Sequence, residues 1–152
     1  MVDEFNNSVA SILCEKLAMH MLNFSKLMEF ELADKDEIIT KCGVEYFENL
    51  ENKLIKSVVS YENSVIVINY DLLTYNNNHQ HFAPSAYTFY LRFEKDKIKN
   101  NKNVNIINKI AFQERDKTFK NICERVITLK SLNPEQATKR ILEQLKEVAQ
   151  WI

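Results

Sequence analysis

Residues 58–68 of this 152-residue chain read VVSYENSVIVI, with β-branched and aromatic residues on both sides of an asparagine–serine pair. Two short apolar runs joined by two polar residues are typical of a β-hairpin. With the Asn–Ser pair as the loop, Tyr61 lies opposite Ile66. Val59 then lies opposite Ile68, so that one face of the ribbon is apolar, and a one-residue shift would break the match. We therefore predict an antiparallel hairpin.

Two later segments alternate in the same way. Apolar or aromatic residues occupy every second position of 87–93 (YTFYLRF), and residues 104–112 repeat the pattern with one interruption at Asn108. A period of two residues indicates strands that are buried on one face. Together with the hairpin, these segments predict a four-stranded antiparallel β-meander, and the sequence leaves open whether residues 104–112 form its last strand or run into the following helix.

Helical spacing flanks the strands. Apolar residues recur every three or four positions over residues 8–32, and a shorter helix over 34–43 is followed by a third over 44–56. Helical spacing returns after the last strand, and the Asn–Pro pair at 133–134 offers a cap and a first helical residue. The sequence predicts a single α+β domain over residues 1–152, with N-terminal helices, the meander, and two C-terminal helices packed on the sheet.

The composition is that of a globular intracellular protein. Hydrophobic residues make up 45% of the chain, enough for a core at this length. The three cysteines lie far apart without a CxxC pair, which predicts buried, reduced thiols. No basic N-terminal region precedes an apolar run, and no apolar stretch approaches about 20 residues. We expect a cytoplasmic protein without membrane insertion, although secretion without a signal stays open.

The chain contains a single glycine, Gly43. Average usage of about 7% would supply roughly ten. A P-loop, a dinucleotide-binding fingerprint, a kinase glycine-rich loop and a GxSxG elbow all require several glycines, and none of them occurs. The shortage predicts that the protein is not an enzyme and uses no cofactor.

The histidines are the first candidates for metal or acid–base chemistry. His79 and His81 alternate along the chain and would face one way on an extended segment, with Asp71 as a third ligand. Because no further ligand is identifiable among the flanking asparagines, we predict no metal site. His20 lies on the apolar stripe of the first predicted helix and is interpreted as a core or boundary residue. We assign no catalytic residue.

Charge is unevenly distributed along the chain. Residues 1–62 carry a net charge of −6, and residues 92–130 carry a net charge of +6, within a total of −1. Such a chain either presents an acidic or a basic surface to a partner, or its two halves neutralise each other. The sequence leaves both interpretations open.

We interpret the chain as a non-enzymatic protein-binding module of the inhibitor, immunity, chaperone or accessory/effector type. Its partner would be another protein, and a homodimer is possible. Contact would be made by surface charge and by aromatic residues, which are enriched at binding hot spots. The candidate partner-binding residues are Glu45, Glu48, Glu51, Tyr75, Phe82 and Tyr87.

Two alternatives come from other functional classes. The basic region 92–130 would bind nucleic acid through its lysines, although a pI of about 6.3 and the lack of a known motif count against this. The lysines concerned are Lys95, Lys97, Lys99, Lys102 and Lys109. The other alternative is a small enzyme of unrecognised type that uses histidine, cysteine and carboxylate side chains.

Overall fold

The computed structural model describes residues 2–32, 34–68, 73–74, 77–82, 84, 86–94 and 106–148. The chain divides into two compact units, residues 1–86 and residues 87–152, and each is described by itself. Each unit contains a two-stranded parallel sheet with helices around it. The single domain over residues 1–152 stays a prediction.

The first unit contains several helices and two strands, and the following have both of their ends among the described residues. Their order is α1 (Val2–Leu17), β1 (His20–Asn23), α2 (Phe24–Glu31), α3 (Lys35–Cys42), α4 (Val44–Val59), β2 (Ser64–Val67) and α5 (His79–Phe82). Strand β1 pairs with β2 from His20 opposite Ser64 to Asn23 opposite Val67. Helix α1 packs on both strands with its apolar stripe, which buries Phe5, Val9 and Leu13 at helical spacing.

The second unit is a strand–helix–strand arrangement followed by a terminal helix. Its elements are β3 (Phe89–Phe93), α6 (Ile106–Ile122), β4 (Arg125–Leu129) and α7 (Pro134–Val148). Strands β3 and β4 are parallel, with Phe89 opposite Arg125. Parallel neighbours need a long crossover connection, which here contains α6. Each sheet therefore joins segments that are distant in sequence.

The predicted hairpin at residues 58–68 is wrong. Helix α4 continues through Val59, and only Ser64–Val67 forms a strand, parallel to β1. Val58 is fully buried on the stripe of α4 that also contains Phe47 and Ile55. Burial in the core therefore outweighs the preference of valine for strands.

The antiparallel meander is wrong as a whole, because both sheets are parallel. The segment 104–112, predicted as a strand, lies in α6 over its described residues. The helix predicted after residue 115 is confirmed as far as Ile122, but its predicted end at Val126 and Ile127 lies in β4. The long helix predicted over 8–32 is interrupted by Ala18, whose φ of 53° ends α1 before β1 begins. Short apolar runs are compatible with both the helical and the strand period. Several of them were therefore assigned wrongly from their spacing alone.

Four local predictions are confirmed. A strand occurs at Phe89–Phe93, and helices α3 and α4 occur near their predicted bounds. The final helix α7 begins at Pro134, and the side chain of Asn133 accepts a hydrogen bond from the Gln136 backbone N–H at 3.2 Å. These segments carry strong local capping or alternation signals. In the described residues, no helix is long and apolar enough to cross a membrane.

Gly43 separates α3 from α4. Its φ of 89° and ψ of 163° lie in a region that is open almost only to glycine. The Gly43 N–H donates to the Ile39 carbonyl at 2.8 Å, and at the other end of α3 the Asp34 carboxylate accepts from the Glu37 N–H at 2.9 Å. The only glycine of the chain thus serves a helix junction rather than a ligand loop.

Replacing Gly43 with alanine is expected to lower the free energy of unfolding by about 1–2 kcal/mol. No atom lies within 4 Å of an added Cβ, so the loss would come from backbone strain and not from a clash. Urea denaturation followed by circular dichroism measures it, with the exposed Thr40→Ala in α3 as the control. Equal urea midpoints for Gly43→Ala and Thr40→Ala would contradict the conclusion that the backbone at position 43 requires glycine.

Candidate functional site

The carboxyl end of β1 is the first place in the fold where polar side chains converge. Ligands of parallel α/β sheets bind beyond the carboxyl ends of the strands. The Asn23 Nδ2 group, at the end of β1, donates a hydrogen bond to Asn7 Oδ1 of α1 at 2.8 Å. Asn23 Oδ1 accepts from the Lys26 backbone N–H at 2.9 Å and so caps α2. One side chain thus ties together α1, β1 and α2.

Asn6 precedes Asn7 on α1 and has a different environment. Its Oδ1 atom is buried and, within the described part of the chain, has no hydrogen-bond partner. A buried acceptor without a partner costs about 1–3 kcal/mol relative to a satisfied one. We call Asn7 and Asn23, which are joined by a hydrogen bond, the amide cluster. Its side chains are neutral and present both amide donors and amide acceptors.

The second unit contains a charged cluster between β3 and α6. Asp116 Oδ1 accepts from Arg92 Nε at 2.6 Å and from the Tyr90 hydroxyl at 3.1 Å, and Asp116 Oδ2 accepts from Lys120 Nζ at 2.9 Å. Tyr90 and Arg92 alternate on β3 and share a face. Asp116 and Lys120 are four residues apart on α6, where the Phe119 ring packs 4.6 Å from the Tyr90 ring. We call Tyr90, Arg92, Asp116 and Lys120 the Asp116 cluster.

Protonation in this cluster follows from its contacts. Burial opposes ionisation of Asp116, but hydrogen bonds from Lys120, Arg92 and Tyr90 outweigh it and hold the pKa of Asp116 below its usual value. Burial, the Asp116 charge and their hydrogen bond raise the pKa of Tyr90 well above that of a free tyrosine. At neutral pH, Asp116 is therefore ionised and Tyr90 protonated. The carboxylate orients its three donors and is not suited to act as a general base.

The predicted partner-binding residues differ in their exposure. Glu45 is exposed, Glu48 is half-buried, and Glu51 is only 6% exposed. Burial raises the pKa of Glu51, Lys35 opposes this, and Glu48 adds to it. Phe82 is buried with its ring edge-on to Phe24 at 6.5 Å, whereas Tyr87 is 47% exposed. Tyr75 lies outside the described residues.

The remaining predicted site residues are the lysines of the basic region and the three histidines. Lys95, Lys97, Lys99 and Lys102 lie outside the described residues, and Lys109 lies in α6 with its side chain outside them. His79 and His81 lie on α5 and are half-buried, while their proposed partner Asp71 falls outside the described part. No group of three or more potential metal ligands occurs among the residues the structure describes. His20 is exposed on β1, so its assignment to a helical core stripe is wrong.

Sequence reasoning missed both clusters. The amide cluster is hard to find because its two asparagines are among 17 in the chain. A signal for the Asp116 cluster was present: Asp116 and Lys120 have the spacing of a helical ion pair, and Arg92 is the only charged residue within the strand at 89–93. The wrong assignment of residues after 104 hid which helix faces that strand.

The cysteines divide into two classes. Cys14 and Cys123 are buried as predicted, whereas Cys42 at the end of α3 is exposed, which corrects its expected burial. Burial raises the pKa of Cys14 despite a hydrogen bond with the Val65 backbone. Burial and the neighbouring Glu124 raise the pKa of Cys123 to about 12. Since the thiolate is the reactive form, Cys123 is protected both by its burial and by its raised pKa.

Alkylation of the native protein at pH 8 is expected to modify Cys42 and to spare Cys14 and Cys123. With a pKa of about 12, only about one Cys123 in ten thousand is a thiolate at that pH. Time-resolved iodoacetamide labelling with peptide mass mapping measures this, and labelling in urea should modify all three. Equal native rates at Cys123 and Cys42 would show that the packing around Cys123 is not as described.

Comparisons with known proteins agree with the parallel architecture. The shikimate kinase family model matches residues 7–146. A shikimate kinase structure from Aquifex aeolicus has a TM-score of 0.74 at 21% identity and covers 94% of this chain and 90% of its own. One from Acinetobacter baumannii, in complex with shikimate, has a TM-score of 0.72 at 16% identity and covers 95% and 88%.

A third structure, the shikimate kinase from Bacteroides thetaiotaomicron, has a TM-score of 0.67 at 16% identity and covers 91% of this chain and 90% of its own. At these identities the structural matches show the fold. No curated protein matches the chain.

These comparisons correct the functional interpretation. The family match covers most of the chain and points to a small enzyme, so the interpretation as a non-enzymatic protein-binding module is wrong. The expectation that the protein is not an enzyme is wrong for the same reason. The reasoning from glycine excluded nucleotide-handling enzymes too broadly, because this chain matches a kinase family although it contains a single glycine. The proposed protein partner and homodimer stay predictions.

Proposed function

Because this chain belongs to the shikimate kinase family, we propose that it transfers a phosphoryl group from a nucleoside triphosphate to a hydroxyl group of shikimate or a closely similar cyclic hydroxy acid. The family match over residues 7–146 is the observation that carries this proposal. The bound shikimate in the Acinetobacter baumannii structure supports the choice of substrate class. Of the interpretations drawn from the sequence, the family match favours the small enzyme of unrecognised type, and the proposed activity names its reaction.

The first unit has a suitable place for substrate and donor. The Asn7–Asn23 hydrogen bond joins the amino-terminal part of α1 to the carboxyl end of β1. Phosphoryl transfer depends mainly on positioning and electrostatic stabilisation. We assign the positioning role to the hydrogen-bonded Asn7–Asn23 junction, at the sheet end where ligands of parallel α/β folds bind.

This sequence contains no GxxxxGK[ST] segment, and we therefore expect slow turnover in phosphoryl transfer. Without these glycines, the backbone cannot wrap around the donor phosphates, and several stabilising N–H contacts are lost. Loss of a single such donor lowers turnover by about a hundredfold or more. We therefore expect turnover at least about a hundredfold below that of the Aquifex aeolicus shikimate kinase, measured side by side with ATP, Mg²⁺ and shikimate.

The test is direct detection of the product. Protein purified from a host strain without shikimate kinases of its own is incubated with ATP, Mg²⁺ and shikimate. Phosphorus NMR and mass spectrometry then detect phosphorylated shikimate and ADP. Reactions without shikimate separate transfer from ATP hydrolysis, and the Aquifex aeolicus enzyme serves as the positive control. If the reaction contains no more phosphorylated shikimate than the reaction without protein, the proposal is wrong.

We further propose that the protein acts in the cytoplasm. Its three cysteines are free, which fits a reducing compartment. Cell fractionation with an antibody against the native protein tests this location.

A further inference from the structure

Strand β3 of the second unit has one edge without a neighbouring strand among the described residues, because its sheet there contains only β3 and β4. Just before β3, the Thr88 carbonyl accepts a hydrogen bond from the Arg125 N–H at 3.2 Å. Just after β3, the Glu94 N–H donates to the Leu129 carbonyl at 3.1 Å. Because successive residues of a strand turn their backbone groups to opposite edges, the even-numbered residues face β4. The N–H and C=O groups of Leu91 therefore point to the outer edge.

The outer edge of β4 carries a protecting contact from α7. The Arg140 side chain donates a hydrogen bond to the Thr128 carbonyl. This carbonyl points away from β3, because the adjacent Leu129 carbonyl is the one that faces β3. Proteins protect strand edges with charged side chains, prolines or covering elements. The outward positions of β3 include Phe89 and Leu91, which provide neither charge nor proline.

The side chains of β3 favour an added strand of apolar composition. All five residues of Phe89–Phe93 are half-buried, and four of them are aromatic or aliphatic. Strands of parallel sheets are normally buried on both faces and rich in such residues. An extended peptide that adds to an edge gains main-chain hydrogen bonds, and its alternate side chains pack beside those of the edge strand. The outer edge of β3 therefore fits a segment of valine, isoleucine or similar residues.

The family of the chain indicates which kind of strand this is. Shikimate kinases have the P-loop NTPase fold, in which the glycine-rich phosphate loop directly follows a strand. Residues 1–152 contain no GxxxxGK[ST] segment, and so they contain no strand that leads into one. We propose that the outer edge of β3 binds an extended apolar strand of a second polypeptide, and that this strand leads into the phosphate loop that the present chain lacks. The role of the loop rests on the proposed function.

Binding of a synthetic peptide tests the strand site. The peptide consists of a short valine–isoleucine strand, a GxxxxGK[ST] segment and a lysine tail for solubility. Hydrogen exchange, followed by NMR, reports on each backbone amide of the protein. We expect the peptide to slow exchange of the Leu91 amide by about tenfold or more, because the added strand supplies its hydrogen-bond acceptor. Exchange at Val126, whose N–H points to the outer edge of β4, should stay unchanged.

Proline substitutions separate edge pairing from the existing sheet. Leu91→Pro removes an outward N–H and leaves the hydrogen bonds between β3 and β4 in place, since those use the neighbouring residues. It should weaken peptide binding in isothermal titration calorimetry by about tenfold or more. Val126→Pro removes an outward N–H of β4 and is the matched control, which should bind like the wild type. Circular dichroism checks folding, and Phe89→Pro, at the first residue of β3, replaces Leu91→Pro if that variant unfolds.

Product formation tests the role of the loop. With ATP, Mg²⁺ and shikimate, the peptide should raise the formation of phosphorylated shikimate by about tenfold or more, because its loop supplies N–H donors to the phosphates. A peptide with the same strand, but with alanine in place of the loop glycines and lysine, should bind without this increase. An equal rate with the two peptides would overturn the assignment of the loop.

The remaining outcomes separate this inference from the proposed function. If the peptide leaves Leu91 exchange unchanged, or binds Leu91→Pro as tightly as the wild type, the strand site is wrong, and product formed by the chain alone would still support the proposed function. Binding that depends on Leu91, without any product, would contradict the proposed function and leave the strand site standing. Self-association in sedimentation velocity that Leu91→Pro abolishes would show that a second copy of this chain occupies the edge, which would also overturn the inference.

Discussion

Replacement of Phe24 by alanine is expected to lower the free energy of unfolding by about 4 kcal/mol. Phe24 is fully buried at the start of α2, immediately after β1, and its ring lies edge-on to Phe82 at 6.5 Å. Truncation removes the buried apolar surface, leaves a cavity, and breaks the aromatic contact. Since domains of this size are stable by about 5–15 kcal/mol, part of the variant should be unfolded under mild conditions.

Phe30 provides the matched control for this experiment. It lies on the same helix, six residues later, and is 81% exposed. Phe30→Ala is expected to change stability by less than about 0.5 kcal/mol, because surface substitutions away from specific contacts have small effects. Urea denaturation of the two variants at pH 7 measures the difference. Similar midpoints would mean that Phe24 is not in the core as described.

Asp116→Ala should produce the second large effect, a loss of about 3 kcal/mol. The Asp116 side chain is only 10% exposed and accepts bonds from Arg92, Tyr90 and Lys120. Removing the carboxylate leaves the Arg92 guanidinium, 18% exposed, without its counterion. Asp116→Asn should fall between the wild type and Asp116→Ala, since it keeps the shape and loses the charge. The exposed Glu114→Gln on the same helix serves as control.

The pH dependence of this effect has a defined sign. The pKa of Asp116 is lower in the folded protein than its usual value. Its contribution to stability is therefore present above the unfolded pKa and is lost as the pH falls through the folded pKa. The difference in stability between the wild type and Asp116→Asn should shrink below about pH 4. A difference that stayed constant from pH 7 to pH 3 would contradict the assigned ion pairs.

The chain belongs to a kinase family, but its composition lacks the glycines that a phosphate-binding loop requires. The family match covers residues 7–146, yet the sequence contains one glycine, and that glycine joins α3 to α4. The architecture therefore does not depend on glycine, because burial of helices against parallel strands maintains it. Phosphate binding does depend on backbone access, which is why we expect slow turnover. The amide cluster lies at the strand end where the ligand is proposed to bind.

Several elements were predictable because their signals are local. The Asp34 and Asn133 caps, Pro134 at the start of α7, and the alternation through Phe89–Phe93 each act within a few residues. The amide and Asp116 clusters were not predictable in this way. Asn7 and Asn23 are 16 residues apart, and Tyr90 and Asp116 are 26 apart, so each contact needs the fold to form first.

The amino-acid sequence by itself determined the strong helix caps, the strand at 89–93 and the absence of a glycine-rich phosphate loop, since each is a property of neighbouring residues. Only the tertiary structure decided that the strands are parallel. In a parallel pair such as His20 and Ser64, the partners are separated by whole helices, and the local pattern of either strand is compatible with both orientations. Core burial also decided that Val58 and Val59 belong to a helix, because packing energy outweighs their small strand preference.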